Sequence, residues 1–380
     1  MEGLIELQQF AEKKIFITGH TGFKGSWLFH WLQLLGANVK GYALAPETTP
    51  SLFTELYGTT HKNSIIGDIN DYNKLSSEIE SFQPDFIFHL AAQPLVRKSY
   101  KLPLDTFTTN TIGTAHVLEA MKQIHKTCVC ICITTDKVYE NKEWIYPYRE
   151  DDKLGGYDPY SASKACAELI IASYRNSFFN HQEKNEYPKY IASVRAGNVI
   201  DGGDWSEDRL VPDMIKAWSS QEILTLRNPH SIRPWQHVME PLIGYMQLAL
   251  HLAAHKQNNQ GHSWNFGPAT DDNLSVLEVA HIAQNIWPTG AIDITTSDHH
   301  PHEARLLKLD ISKAIAELHW KPRMNATTAI ERTIEWYQAF NNGNDAKTLI
   351  ENDIQYYQTL FTTNIKVDRS EERRVGKECR

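Results

Sequence analysis

The sequence predicts an α/β fold in which a doubly wound parallel sheet carries a smaller C-terminal α/β lobe. Up to about residue 197, short strands that are apolar almost throughout alternate with stretches of helical spacing, as in parallel sheets covered on both faces. The first strand runs into a turn with glycines at 19, 22 and 25. Beyond residue 197 a loop rich in Gly and Asp begins, and shorter pieces rich in Trp, His, Arg and Pro follow.

The elements of this fold follow in chain order. Strands are predicted over 13–19, 37–44, 63–69, 85–93, 127–135 and 190–200. Helices are predicted over 22–35, 71–82, 103–124 and 159–178. This pattern indicates a Rossmann-type nucleotide-binding domain over 10–197 and a substrate lobe over 198–365, with 238–266 returning to the main sheet. The charged, aperiodic stretch 369–380 is interpreted as a non-native tail.

Composition and charge exclude several classes of function. The 380 residues carry a formal net charge of −8 and no long basic run, so no nucleic-acid partner is expected. No apolar run approaches the ~20 residues of a membrane span, and no leader-like segment opens the chain. We therefore expect a cytoplasmic protein without a membrane partner. Cys128, Cys130 and Cys132 alternate along one predicted strand and are interpreted as small buried residues, not metal ligands.

The glycine turn is the first candidate ligand site. Its G-x-x-G-x-x-G spacing lies between a predicted strand and a predicted helix. Such glycines allow the backbone to approach a pyrophosphate closely, and the helix start supplies free N–H groups; a purely structural turn is the alternative. The second strand lacks the acid that usually holds the adenosine ribose, which leaves NAD and NADP both open. Asp68 could face the adenine or cap the next helix.

Two polar clusters are candidates for the chemistry. Tyr160 and Lys164 are four residues apart on a predicted helix and so share a face. A nearby ammonium lowers the pKa of a phenol, so this pair is predicted to transfer protons, with a surface pair as the alternative. Thr135, Asp136 and Lys137 end the fifth strand, at the sheet edge where ligands of α/β folds bind; the alternative is a polar strand end that caps a loop.

Several strings of the sequence together resemble the CDP-glucose 4,6-dehydratases, a branch of the extended short-chain dehydrogenases/reductases and of the NAD-dependent sugar-nucleotide epimerases and dehydratases. The resemblance covers about residues 10–340 and includes "TGHTGFKGSWL", "TTDKVYEN", "GGYDPYSASK" and "SIRPWQHV". It implies NAD as cofactor, CDP-glucose as substrate, a homodimer, and a place in the deoxysugar synthesis of O-antigen and lipopolysaccharide. The implied NAD-binding residues are Gly19, His20, Thr21, Gly22, Phe23, Lys24, Gly25, Asp68, Ile69, Ala91, Ala92, Gln93, Tyr160 and Lys164.

The resemblance also implies a catalytic role for each polar residue of the two clusters. Tyr160 would take the proton of the sugar 4-hydroxyl, Lys164 would tune Tyr160 and hold the nicotinamide ribose, and Thr135 would bind the 4-oxygen. Asp136 would protonate the departing 6-hydroxyl. Lys137 stands where the dTDP-glucose relatives carry a glutamate base, and we assign it a part in the elimination.

Substrate-binding candidates lie mainly in the second lobe. A guanidinium can bind phosphate oxygens with two hydrogen bonds, which suits arginines to a diphosphate, although each arginine could instead pair with surface acids. The candidates are Arg97, Asn198, Arg209, Arg233, His237 and Arg305. Asp298, His302 and Glu303 include metal-ligand types, but they lack a metal-binding spacing, so no metal is expected.

Two alternative functions are open. One is another sugar-nucleotide 4-epimerase or dehydratase, and the other is a catalytically silent NAD-binding regulator. An epimerase needs only the Thr135, Tyr160 and Lys164 set, so the Asp136–Lys137 pair favours elimination. A silent regulator predicts a broken set, whereas the set is whole here.

Overall fold

The fold centres on a seven-stranded sheet in which every neighbouring pair of strands is parallel. The computed structural model describes residues 6–179, 187–226, 228–254, 263–294 and 306–361. In spatial order the strands are β3 (Ser64–Ile66), β2 (Asn38–Ala43), β1 (Lys14–Thr18), β4 (Phe86–His89), β5 (Cys128–Ile133), β6 (Lys189–Ala196) and β11 (Ser263–Phe266). The first six have the doubly wound order 3-2-1-4-5-6, and β11 adds a seventh from the second lobe.

Helices flank the sheet on both sides. Their bounds are α1 Phe23–Leu34, α2 Leu52–Tyr57, α3 Tyr72–Phe82, α4 Val96–Lys101, α5 Pro103–Phe107, α6 Gly113–Met121, α7 Pro159–Phe178, α8 Leu210–Ser219, α9 Met239–Ala254, α10 Val276–Ile286, α11 Ser312–Leu318, α12 Ala326–Asn341 and α13 346–361. Ile15 and Ile17 of β1 pack into one core with α1 and α9, while Phe16 packs into a second core with α3 and α6. This alternation is why the strands are apolar on both faces. The predicted α/β doubly wound class is confirmed.

Two predicted elements are interrupted. The predicted helix over 103–124 begins at Pro103, contains a π-helical turn over Thr108–Ile112 and ends at Met121. The predicted strand over 190–200 breaks at Gly197, where an added Cβ would lie 2.4 Å from the Pro234 ring. The chain turns there into β7 (Asn198–Ile200), which belongs to the second lobe.

The second lobe contributes three two-stranded sheets. They are β7 with β10 (Trp235–His237), β8 (Ile223–Leu226) with β13 (Ala291–Ile294), and β9 (Ile232–Arg233) with β12 (Leu274–Ser275). The first two pairs are parallel and the third is antiparallel. None of the helices in the described parts of the chain is long and apolar enough to cross a membrane.

The cysteines of β5 are buried and free, as predicted. Cys128, Cys130 and Cys132 all pack into the core that contains Phe16. Burial raises the pKa of the Cys128 thiol to about 12, so it is neutral and inert. The predicted tail over 369–380 lies outside the described residues.

Candidate active site

The glycine turn after β1 forms a cradle that admits no side chains at two of its three glycines. Gly19 has a φ of +78°, and a Cβ on it would lie 2.6 Å from the Ala91 nitrogen. A Cβ on Gly25 would lie 2.0 Å from the Gly19 oxygen. Gly22 caps α1 without a side-chain hydrogen bond, so no side chain covers the N–H groups of the first turn. This arrangement fits the diphosphate of a dinucleotide.

His20 lies behind the cradle, not in it. Its ring is fully buried, packs at 5.3 Å and 5.0 Å from the rings of Phe29 and Phe53, and places Nε2 2.6 Å from the Ser64 hydroxyl. A Cβ at Gly41 would lie 2.3 Å from this ring. Burial lowers the pKa of His20 to about 4, so the imidazole is neutral. His20 therefore packs the glycine turn against β2 and β3.

The other residues expected at the cofactor line the ends of the neighbouring strands. The exposed Asp68 accepts a hydrogen bond from the Asn70 N–H at 2.9 Å, which leaves its second carboxylate oxygen toward solvent. Gln93 follows Ala91 and Ala92 after β4, and its side-chain amide donates to the Leu95 carbonyl at 3.1 Å. The Gln93 side chain thus shapes the turn after β4.

Thr135 and Asp136 follow β5 directly and are both buried. The Thr135 hydroxyl donates to the Asp136 carboxylate at 3.0 Å. Burial raises the pKa of Asp136, while the neighbouring Lys137 opposes that rise. A carboxyl group with a raised pKa is suited to deliver a proton, so Asp136 has the properties of a general acid.

Tyr160 and Lys164 lie on the first turns of α7, as predicted. The helix starts there because Asp158 caps it by accepting from the Ser161 N–H at 2.9 Å, and Pro159 occupies the first position. The Lys164 ammonium donates to the Ile133 carbonyl at 3.0 Å, at the end of β5. Burial lowers the pKa of Lys164 to about 8.

The expected lowering of the Tyr160 pKa is wrong for this structure. Burial raises the pKa of Tyr160 to about 12, although its hydrogen bond with Thr135 opposes the rise. The Lys164 ammonium donates to the β5 carbonyl, and burial is the largest effect on the Tyr160 pKa. The prediction weighed a neighbouring charge and left out desolvation, which is the larger effect here.

Two second-lobe arginines come close to the catalytic side chains. Arg209 places NH1 2.8 Å from a carboxylate oxygen of Asp204, and its charge lowers the pKa of Tyr160. Arg233 is 9% exposed and donates to the Ile232 carbonyl at 3.0 Å. Its charge lowers the pKa of Asp136. Arg233 therefore lies near the polar end of β5 and Arg209 near the start of α7.

Other predicted substrate residues have different surroundings. His237 is 1% exposed and lies 3.0 Å from Asp201, so it is a buried group and not part of the cleft wall. Arg97 of α4 pairs with Asp208 at 3.1 Å and links the main sheet's helices to the second lobe. Asn198 begins β7 and is partly exposed. Arg305 and the candidate metal ligands Asp298, His302 and Glu303 lie outside the described residues.

Sequence reasoning missed the buried supports of the site. Glu168 of α7 accepts from the Thr134 hydroxyl at 2.6 Å and from Arg195 Nε at 2.9 Å. It thereby fixes the residue before Thr135. Glu168 stands four residues after Lys164, and this same-face spacing is the signal that could have identified it. Asp204, which holds Arg209, was also missed; it lies in the Gly- and Asp-rich loop.

This arrangement defines a class of protein. A glycine cradle, a Tyr-x-x-x-Lys helix and a polar end of the fifth strand on a doubly wound parallel sheet are the architecture of an extended short-chain dehydrogenase/reductase. Two solved structures share the fold. An epimerase from Methanothermobacter thermautotrophicus aligns with a TM-score of 0.76 at 22% identity, over 90% of this chain and 97% of that one. UDP-glucose-4-epimerase from Stenotrophomonas maltophila, solved with bound NAD, aligns with a TM-score of 0.73 at 19% identity, over 87% and 100%.

The chain belongs to the GDP-mannose 4,6 dehydratase family, whose model matches residues 16–333. It is 45% identical to CDP-glucose 4,6-dehydratase of Salmonella typhimurium, over 94% of this chain and 100% of that relative. It is 26% identical to CDP-paratose 2-epimerase of Salmonella typhi, over 85% of this chain and 98% of that relative. The resemblance inferred from the sequence is confirmed.

Proposed function

We propose that this chain is a CDP-glucose 4,6-dehydratase. It converts CDP-D-glucose to CDP-4-dehydro-6-deoxy-D-glucose and water, with NAD as its resident cofactor. The observation that carries this proposal is the convergence of Thr135, Asp136, Tyr160 and Lys164 at one sheet edge beside the glycine cradle, in a chain 45% identical to a relative of that name. The product is an intermediate for deoxysugars of O-antigen and lipopolysaccharide, made in the cytoplasm.

The chain's own groups are suited to hold NAD. The backbone of the Gly19–Gly25 turn binds its diphosphate, Asp68 and Ile69 line its adenine side, and Lys164 binds the nicotinamide ribose. The lack of side chains at Gly19 and Gly25 supports this fit. When bound, NAD would supply a reversible hydride acceptor and a positive charge for the reaction.

The first proton transfer belongs to Tyr160. At a pKa of about 12 the phenol keeps its proton at neutral pH, so added positive charge nearby is needed to favour the phenolate that takes the sugar 4-hydroxyl proton. Arg209 already contributes in that direction. Thr135 binds the 4-oxygen and orients it toward the phenol.

The elimination belongs to Asp136 and Lys137. Once the 4-ketone has formed, the C5 proton is acidic, and the Lys137 amine takes it as the C5–C6 double bond forms. Asp136, whose pKa is raised by burial, gives its proton to the departing 6-hydroxyl, which leaves as water. The partly exposed Lys137 adjoins Asp136 at the end of β5, which supports a concerted role for the pair.

The CDP group occupies the cleft between the two lobes. We assign its diphosphate to Arg209 and Arg233, because both approach the catalytic residues from the second lobe. Arg97, Asn198 and Arg305 complete the substrate set, and His237 supports it from the interior. Residues 10–197 form the cofactor domain and 198–365 the substrate lobe, apart from the return of 238–266 to the sheet.

A homodimer forms through α5, the π-helical turn that follows it, and α7. Apolar side chains on these helices are exposed, namely Leu104 (79%), Leu169 (60%) and Ile112 (47%). The helices that carry these side chains pack together, which supports one shared apolar face. Sedimentation of the native protein should give a dimer, and Leu104→Asp should shift it toward monomer.

One experiment tests the activity. The purified protein is incubated with NAD and separately with CDP-, dTDP- and GDP-glucose, and products are analysed by mass spectrometry and NMR. We expect a 4-keto-6-deoxy sugar from CDP-glucose. A 4-epimer would identify an epimerase, while NAD binding without turnover of any sugar nucleotide would identify a silent regulator.

A further inference from the structure

Lys24 occupies an unusual place for a charged side chain. It is the second residue of α1, on the glycine cradle itself, and its side chain is only partly exposed. The charges of Arg209 and Lys164, both cations, and of Asp136 and Asp204 act on its ammonium. These four groups come from three different parts of the chain, so Lys24 lies at the same edge of the sheet as the candidate catalytic residues.

The two acids near Lys24 are already engaged by other groups. Asp204 pairs with Arg209 at 2.8 Å, and Asp136 accepts from Thr135 at 3.0 Å. Across the described ranges of the chain, the Lys24 ammonium has no hydrogen bond or ion pair. A partly exposed cation without a direct ion pair can bind an anionic ligand.

The surplus of positive charge is local. The chain as a whole carries −8, yet Lys24, Lys164, Arg209 and Arg233 converge on one cleft. The cradle binds its dinucleotide phosphate through backbone N–H groups, which leaves the Lys24 side chain free for another anion. Arg209, the cation next to it, approaches from the substrate lobe.

We propose that the Lys24 ammonium binds the diphosphate of the sugar nucleotide, from the cofactor side of the cleft. This inference rests on the proposed function. Lys24 is then a specificity residue that joins the two ligand sites: its backbone belongs to the cofactor turn and its side chain to the substrate. Together Lys24 and Arg209 clamp the diphosphate from opposite lobes.

The charge state of Lys24 provides a signature that a merely structural lysine lacks. Burial, with help from Arg209 and Lys164, lowers its pKa to about 7. The protonated form binds phosphate, so affinity for the substrate should fall as pH rises from 6 to 9. Arginine at this position stays charged throughout that range.

The test measures binding by calorimetry in a Tyr160→Phe background, in which CDP-glucose is not converted. Its diphosphate is esterified at both ends and does not itself titrate between pH 6 and 9. We expect Lys24→Met to weaken CDP-glucose binding at pH 6.5 by about 10- to 100-fold, as for loss of a charge-assisted hydrogen bond. NAD affinity should change less than about threefold.

Two further variants complete the design. Lys24→Arg should retain affinity and reduce its fall with pH to the part that Lys164 causes, while Lys122→Met, at a partly exposed lysine paired with Glu119, should match the background enzyme. The proposal is overturned if Lys24→Met weakens the binding of NAD instead of CDP-glucose, or if it weakens neither. This holds even if the wild type dehydrates CDP-glucose. Failure of the wild type to make product from CDP-glucose contradicts the proposed function instead, so the two failures are distinct.

Discussion

Two clusters of ionisable side chains lie in this molecule, and they differ in how their charges are satisfied. The active-site cluster consists of Lys24, Thr135, Asp136, Tyr160, Lys164 and Arg209. The sealed cluster, within the second lobe, consists of Asp201, His237, Glu240, Arg332, Asp353 and Tyr357. Both contain acids, bases and a tyrosine, so composition alone does not separate them.

The two clusters differ in how their charged side chains are paired. In the sealed cluster His237 lies 3.0 Å from Asp201, Arg332 Nε donates to Asp353 at 2.9 Å, and Tyr357 donates to Glu240 at 2.6 Å. Asp201, His237 and Asp353 could be considered as metal ligands, but Arg332 already neutralises Asp353. Among the described residues, Lys24 of the active-site cluster has no such partner. Close pairing of buried charges indicates a structural role, and a cation without a direct partner indicates a ligand.

Among the variants that test this comparison, Tyr160→Phe should have the largest effect. Removing the hydroxyl takes away the group that accepts the substrate proton, so kcat should fall by about 10³-fold. Thermal unfolding should be nearly unchanged. A variant that keeps more than a tenth of wild-type kcat would contradict the role of Tyr160.

Asp136→Asn should have the next largest effect. The amide cannot protonate the leaving hydroxyl, and kcat should fall about 10²-fold with little change in KM. Steady-state kinetics with CDP-glucose measures this split. An unchanged kcat would remove Asp136 from the elimination step.

Asp201→Ala should act on stability and not on chemistry. It leaves His237 buried without its partner, so the free energy of unfolding should fall by about 3–5 kcal/mol. The kcat per folded molecule should stay within about threefold. The milder Asp201→Asn covers the case of a variant that fails to fold, and Glu331→Ala on the exposed face of α12 is the control.

Glu240 predicts a pH dependence of stability. Burial raises its pKa to about 7 from the ordinary 4.5, although Tyr357 and two backbone N–H groups oppose the rise. Between these values the folded chain keeps a proton that the unfolded chain has lost, so this group's contribution to stability falls as pH rises and levels off above 7. Glu240→Gln does not titrate and should gain about 3 kcal/mol relative to wild type across that window. Urea unfolding at pH 5 and pH 8 measures the free energy of unfolding of both proteins. The same difference between variant and wild type at both pH values would contradict the raised pKa.

The smallest effect is expected at the partly exposed ion pair of Arg97 and Asp208. Arg97 and Asp208 are each 37% exposed, and such pairs contribute about 0–1 kcal/mol to stability. Arg97→Gln should leave unfolding within that range and raise KM for CDP-glucose a few-fold. A much larger rise in KM would show that Arg97 binds the diphosphate as strongly as the interior arginines do.

Much of the fold was predictable because its signals are local. Apolar strands alternating with helices predicted the parallel sheet, and the spacing of Tyr160 and Lys164 predicted a shared helix face. The break at Gly197 was not predictable, because it depends on Pro234, which is distant in sequence.

The positions of several candidate site residues were predictable, but their environments were not. Thr135 and Asp136 lie at the expected sheet edge because strand ends are fixed by topology. The direction of the Tyr160 pKa shift and the burial of His237 depend on what packs around them, which the sequence does not state. Lys24 was expected at the cofactor from the sequence motif, while its lack of a direct ion pair among the described residues emerges only in three dimensions.

The fit of His20 against Gly41 has an evolutionary consequence. Any side chain at 41 would overlap the imidazole, since its Cβ would lie 2.3 Å from the ring. A smaller residue at 20 alone would leave a cavity between Phe29 and Phe53. A substitution at either position alone is therefore unfavourable. We expect substitutions at 20 and 41 to occur together among descendants of this sequence.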